Sequence, residues 1–323
     1  MILIGIICSC LCILSILCIL AKQLPDLRSS VLAYGKLNQT ADQPRTKWAS
    51  IVRLWTVPKN WFTHFYIVGL IFSLYCWCEI ILATKTIPSQ PQQQQQQHHA
   101  NGRSTLGPLL YIISRWDTPY GSQRLNWYTC LIGLSLITLH LFRRVYESWY
   151  IERPSPNARM HFSHYLVGFG FYGAMVFGTW LEGVASLDIW QERLDTPSDI
   201  SYISTTLSIV LFIYASIHQN TCHKILASLR TAKKNEEGSI KSGYAIPKGD
   251  WFEIWVAPHY ICDILIYTSL CILYQGRSII LLCGWIWTFL NLSVTAMETK
   301  AWYVQTFPNY PKNDRWIVIP GIF

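Results

Sequence analysis

Charge is what this chain has least of. Only 14% of its 323 residues are Asp, Glu, Lys or Arg, while 51% are hydrophobic. Soluble domains carry roughly 25% charged residues, so a free-standing soluble domain is excluded as the main organisation. Residues 1–21 contain no charged side chain. This run also lacks the basic start and the small-x-small cleavage pattern of a removable signal, which makes it a retained, spanning anchor. The chain offers no P-loop, no nucleophile elbow and no H-E-x-x-H, and a nucleotide is expected to be held without a Rossmann or Walker turn. None of the 11 cysteines has the flanking ligands of a zinc site. Most fall inside apolar runs, where thiols behave as small hydrophobes, and no metal is expected.

What the chain does have is apolar length. Besides the first run, residues 61–83, 126–142, 162–182, 202–218, 254–274 and 278–296 are long enough, at about 20 residues per crossing, to traverse a bilayer. The fold class that follows is all-α, a single integral membrane domain with about seven transmembrane helices. Most of the 26 Lys and Arg residues fall in the loops at 22–60, 143–161 and 219–253 and in the C-terminal tail. Cytoplasmic loops retain such residues, so the N-terminus is expected in the lumen and the C-terminus in the cytosol. The net charge of +8 is then topology, together with attraction to anionic lipid or nucleotide phosphate; nucleic acid is a poor explanation for it. Residues 84–125 form a non-cytosolic loop with a Gln-rich tract at 89–102, "SQPQQQQQQHHANG", to which composition assigns disorder and no function. No obligate protein partner is evident.

Chemistry-bearing residues gather on the cytosolic side. The stretch "GYAIPKGDWFEIWVAPHYICDILIY" places His259 and Asp263 four residues apart on one helix face, just inside an apolar run. Ionisable groups there face a cavity or each other, and position alone leaves both readings open. In "HQNTCHKILASLR", the residues Asn220, Lys224 and Arg230 suit a phosphate or ribose clamp, although for Lys224 a positive-inside flank is the better reading. The tail "ETKAWYVQTFPNYPKNDRWIVIPGIF" offers Lys300, Tyr303 and Arg315 among aromatics able to stack on a flat ring or to sit at the headgroup level. In "LHLFRRVYE", Arg143 and Arg144 mark the membrane boundary, while Tyr146 and Glu147 supply a phenol and a carboxylate, the pair read as catalytic. Glu79 and Glu182, near the other face, are adequately explained by snorkelling.

These stretches together resemble a known family. "HQ", "CHKIL", "LR", "IPKGDWFEIWVAPHYICDILIY", "WYVQTFPNYPK" and the closing "IP" are similar to the polyprenal reductase branch of the steroid 5-alpha-reductase family, with "VPKNWFTHFY" and "LHLFRRVYE" extending the match more loosely. The resemblance implies an endoplasmic reticulum membrane enzyme whose C-terminal module, 202–323, binds NADPH from the cytosol. Its implied reaction reduces the double bond conjugated to a polyprenal aldehyde on the route to dolichol and N-glycosylation. It further implies that Asn220 touches the cofactor, that His259 stands at the nicotinamide end, that Asp263 takes the place of a Glu, and that Tyr303 is an aromatic cofactor contact. Ala245, Lys300 and Leu141 depart from relatives' Arg, His and Tyr, and no Glu stands near Pro58, which argues against a steroid as principal substrate. A trans-2-enoyl-CoA reductase and a seven-helix receptor are the rival readings.

Overall fold

The computed structural model describes residues 2–32, 46–85, 109, 127–154, 158–184, 201–235, 245–311 and 314–321. The Gln-rich tract at 89–102 lies outside the described residues. Among those described, the α-helices of eight residues or more are α1 (Ile2–Gln23), α2 (Lys47–Leu54), α3 (Phe62–Lys85), α4 (Trp127–Tyr146), α5 (Phe162–Val184), α6 (Tyr202–Asn235), α7 (Pro258–Leu273) and α8 (Ile279–Thr306). A short antiparallel pair, β1 (Thr56–Pro58) and β2 (Arg159–His161), aligns Thr56 with His161 and ties the entry of α3 to that of α5.

Each of the seven apolar runs falls on one of the seven long helices. Three helices are long and apolar enough by themselves to cross a membrane, namely Ile2–Gln23, Lys59–Leu82 and Ile279–Thr306, and Pro258–Leu273 is a shorter apolar helix. Two ends move far from the hydropathy boundaries. Helix α6 runs from 218 on to Asn235, and α8 runs from 296 on to Thr306. Both extensions are polar or amphipathic, so hydropathy ends there while the helical hydrogen-bond ladder does not.

Local chemistry sets the starts. Pro258 occupies the first turn of α7, where its fixed φ is already helical. The Ser278 side chain caps α8 by accepting from the Leu281 N–H at 3.4 Å. Before α7 the chain turns through Gly249 and Asp250 at φ of 89° and 45°, a left-handed region that glycine adopts freely and Asp tolerates.

Helices α3, α4 and α5 pack on one another, α6 packs on α7, α7 on α8 and α8 on α1, while contacts from α5 to α8 and from α4 to α6 and α7 join the two groups. The close approach at Gly133 is obligatory: a Cβ there would lie 2.0 Å from the Tyr274 hydroxyl, which donates to the Thr179 carbonyl. Chain direction alternates. The C-terminal ends of α4, α6 and α8 therefore meet the N-terminal ends of α3, α5 and α7 at one end of the bundle.

Candidate active site

At that shared end the ends of α3, α4 and α7 and the middle of α6 bring a polar network into the interior. Its centre is Glu147, the residue after α4, whose side chain is fully buried. Four donors converge on its two oxygens: Arg143 Nη1 at 2.6 Å and Asn220 Nδ2 at 2.9 Å on Oε1, and Arg144 Nη1 at 2.7 Å and His223 Nδ1 at 2.8 Å on Oε2. Burial pushes this carboxyl up, but the His223 hydrogen bond and the Arg144 and Arg143 guanidiniums outweigh it and hold Glu147 far below the ordinary carboxylate range. Glu152 is treated alike. Burial raises it, and Arg144 at 2.9 Å, with His223, brings it below its ordinary value.

Arg144 is the hub of the network. Its Nη1 meets Glu147, Glu152 and His223, while its Nη2 donates to the Tyr66 hydroxyl at 2.8 Å with the guanidinium carbon 4.7 Å from the centre of that ring. Glu147, Glu152 and His223 offer ligand atoms within 4.8 Å of one another. The guanidinium already stands where a metal cation would, so charge balance needs no ion. A second branch leaves Arg143, which donates to Gln219 Oε1; Gln219 Nε2 then donates to Asp263 Oδ1 at 2.5 Å and to the His259 carbonyl at 3.2 Å. The His259 ring lies 5.8 Å from that of His223.

The tail forms a separate cluster. Arg315, only 4% exposed, donates from Nη1 to the Pro247 carbonyl at 3.1 Å, while Lys300 Nζ donates to the Arg315 carbonyl at 2.9 Å. Tyr303 and Tyr310 stack with centroids 5.1 Å apart. Trp316 pairs with the 254–256 backbone, donating to the Ile254 carbonyl at 2.8 Å and accepting from Val256 N–H at 2.9 Å. The turn carrying Asp250 is pinned to α6 by His218 Nδ1 at 2.9 Å, and the His218 ring stacks on Trp251 at 4.5 Å.

The sequence-derived candidates therefore separate. Glu147, Asn220 and Asp263 share one network, and His259 joins it through its carbonyl. Lys300, Tyr303 and Arg315 belong to the tail. Arg230 donates to the Arg153 carbonyl and lies within electrostatic reach of Tyr303, between the two. Lys224 is exposed. Tyr146 is not brought to the network: its ring is 51% exposed and stands beside Tyr150 at 5.2 Å, on the outer surface of α4. Glu147, held as an anion by four donors, is placed to position its neighbours and carries no proton to give. The Gly168, Gly170 and Gly173 spacing matches G-x-G-x-x-G, but it lies inside α5, where Gly168 admits the Phe65 ring; it forms no phosphate turn.

Sequence reasoning missed Arg144 as more than a boundary charge, and it missed Tyr66, Gln219 and Glu152. Their one signal was polarity at a run's edge. Two buried atoms here, His140 Nε2 and Arg143 Nε, have no hydrogen-bond partner among the described residues.

The sequence pattern of the family described as 3-oxo-5-alpha-steroid 4-dehydrogenase matches residues 169–323. The chain is 30% identical over 291 residues to polyprenal reductase 1 of Arabidopsis thaliana, covering 83% of this chain and 82% of that protein. It is 29% identical over 294 residues to polyprenal reductase 1 of Oryza sativa subsp. indica, covering 83% and 80%. It is also 29% identical over 296 residues to polyprenal reductase of Caenorhabditis elegans, covering 90% and 85%.

Proposed function

The chain belongs to the polyprenal reductases of the steroid 5-alpha-reductase family, and from that premise we propose that it reduces the double bond conjugated to the aldehyde of a polyprenal, on the route to dolichol and N-glycosylation. The observation that carries this reading is the buried network of Arg144, Glu147, His223 and Asp263, set where the polar end of the bundle meets its apolar core. A substrate built of isoprene units enters through lipid and carries one polar atom. It needs such a boundary.

NADPH, when bound, supplies the hydride. Asn220, His259 and Asp263 would face its nicotinamide end, Lys224 and Arg230 its phosphates, and Lys300, Tyr303 and Arg315 the ring stacked against the tail. The protein's own task is to exclude water and to hold donors toward the carbonyl oxygen, where negative charge develops. All seven long helices would span the endoplasmic reticulum membrane, with the N-terminus in the lumen and the network on the cytosolic side.

Purified protein mixed with NADPH and a short polyprenal should oxidise the cofactor, and an enoyl-CoA should do so far more slowly. No oxidation with polyprenal would end the proposal, and preference for the thioester would move it to a trans-2-enoyl-CoA reductase. His259→Ala and Asp263→Asn should each lose most activity with membrane insertion intact.

A further inference from the structure

Reduction of an enal needs a proton donor on the carbonyl oxygen, and Tyr146 points outward. Tyr66 does not. It lies one turn into α3, is 6% exposed, and belongs to the apolar core through its ring, packed edge-on against Phe65 at 5.0 Å and Tyr172 at 5.1 Å. Its hydroxyl alone crosses into the polar network, where it accepts from Arg144 Nη2 at 2.8 Å. That bond uses the oxygen's lone pair and leaves the O–H proton without a hydrogen-bonded acceptor among the described residues. Tyr172, Tyr267 and Asp263 stand within electrostatic reach of one another at the same junction, so polar tips ring the point at which the apolar core ends.

We propose that Tyr66 is the oxygen-side proton donor of the enal reduction, with Arg144 as its positioning residue; the proposal rests on the polyprenal reductase reading above. As the β-carbon is reduced, the displaced electron pair collects on the carbonyl oxygen. The Tyr66 O–H bond breaks and a new O–H bond forms on the substrate, giving an enol. The phenolate left behind faces the Arg144 guanidinium and regains a proton from water. Tautomerisation then moves the enol proton to the α-carbon and restores the aldehyde. The net change is one hydride and one proton added across the carbon–carbon double bond. Arg144 can stabilise the phenolate because Glu147 and Glu152 fix it in place. The carboxylates also keep the guanidinium from drawing the substrate oxygen to itself.

The test compares wild type with Tyr66→Phe in two readouts. Turnover of a short polyprenal should fall by roughly 10² to 10³ fold, the size seen when one oxyanion donor is removed. In cofactor-free protein, quenching of tryptophan fluorescence by a long-chain polyprenyl amide, a carbonyl that cannot be reduced, should show weakened binding. Wild-type turnover and wild-type amide affinity in Tyr66→Phe would overturn the proposal. If the wild type itself reduces no polyprenal, the functional reading fails, and the amide arm still decides whether Tyr66 binds a carbonyl. Should Tyr66→Phe fail to fold, fluorotyrosine incorporated at position 66 keeps the shape. A donor would shift the pH–rate profile with the phenol's acidity, and an unshifted profile would assign Tyr66 a structural part.

Discussion

Two arginines are almost equally buried at the same end of this molecule, Arg144 at 6% exposure and Arg315 at 4%, yet they are held in opposite ways. Arg315 rests on a backbone carbonyl, with Glu253 at 3.6 Å, a carboxylate that is itself 58% exposed. Arg144 is gripped by two carboxylates and a phenol drawn from two separate parts of the chain. A carbonyl satisfies a guanidinium without bringing a second charge out of water. Ion pairs in the interior cost desolvation on both sides and are often no more stabilising than well-packed apolar residues. Arg315 is therefore buried without a buried counter-charge. The crowd around Arg144 needs a chemical reason, and the proposed orienting of Tyr66 supplies one.

The contrast breaks most sharply at Arg144 itself. Arg144→Met leaves the buried Glu147 with Arg143 as its remaining guanidinium and takes from Glu152 its 2.9 Å ion pair, and breaking a buried pair by removing one partner costs about 3–5 kcal/mol. The expected outcome is a drop of many degrees in Tm in detergent and loss of polyprenal reduction. Arg144→Lys keeps the charge but cannot reach Glu147 and Tyr66 at once, so it should recover much of the Tm and little of the activity. Equal recovery of both would make Arg144 structural.

Acid separates the two regions next. Glu147 and Glu152 are held below their ordinary value in the folded protein. Their contribution is therefore fully present above the unfolded carboxylate range, about pH 4.3, and is lost as pH falls through their lower folded values. Tm should be flat with respect to these groups from neutrality to about pH 5 and decline below it. The Arg315 contact with the Pro247 carbonyl carries no titrating acceptor and should outlast it, so proteolytic release of the tail should follow global unfolding. Early release of the tail in acid would reverse the comparison.

At Arg315 the effect is smaller. Arg315→Met unpairs one carbonyl and loosens the 315–318 segment, costing about 1–3 kcal/mol. Limited proteolysis of the tail should accelerate, and KM for NADPH should rise more than kcat falls. A fall in kcat with unchanged KM would move Arg315 into the same class as Arg144.

The two regions were also unequally legible in the sequence. His259, Asp263 and Asn220 stood out because ionisable or amide groups at the edge of an apolar run are costly to bury, and burial cost can be read one residue at a time. Helices were legible for a similar reason, since apolar runs of bilayer length mark them. The partnership of Tyr66 with Arg144 spans 78 positions, and that of Glu147 with His223 spans 76. Nothing local encodes those distances, and Arg144 alone matches any positive-inside flank. The polar continuations of α6 and α8 were invisible to hydropathy because a helix needs no apolar residues once it has left the lipid.

The smallest expected effect is at Tyr146, and it sharpens the comparison from outside. Tyr146 stands two residues from Arg144 on α4, a spacing that turns it well away from the face Arg144 occupies. Its ring is 51% exposed beside Tyr150, so removing the hydroxyl strands no buried partner. Tyr146→Phe should change stability by less than about 0.5 kcal/mol and leave polyprenal turnover within about twofold of wild type. Neighbouring residues on one helix would then differ by orders of magnitude in their effect on turnover, because one faces the network and the other faces outward. A large loss of kcat in Tyr146→Phe would mean that α4 rotates during turnover, exchanging the phenol at 146 for the one at 66.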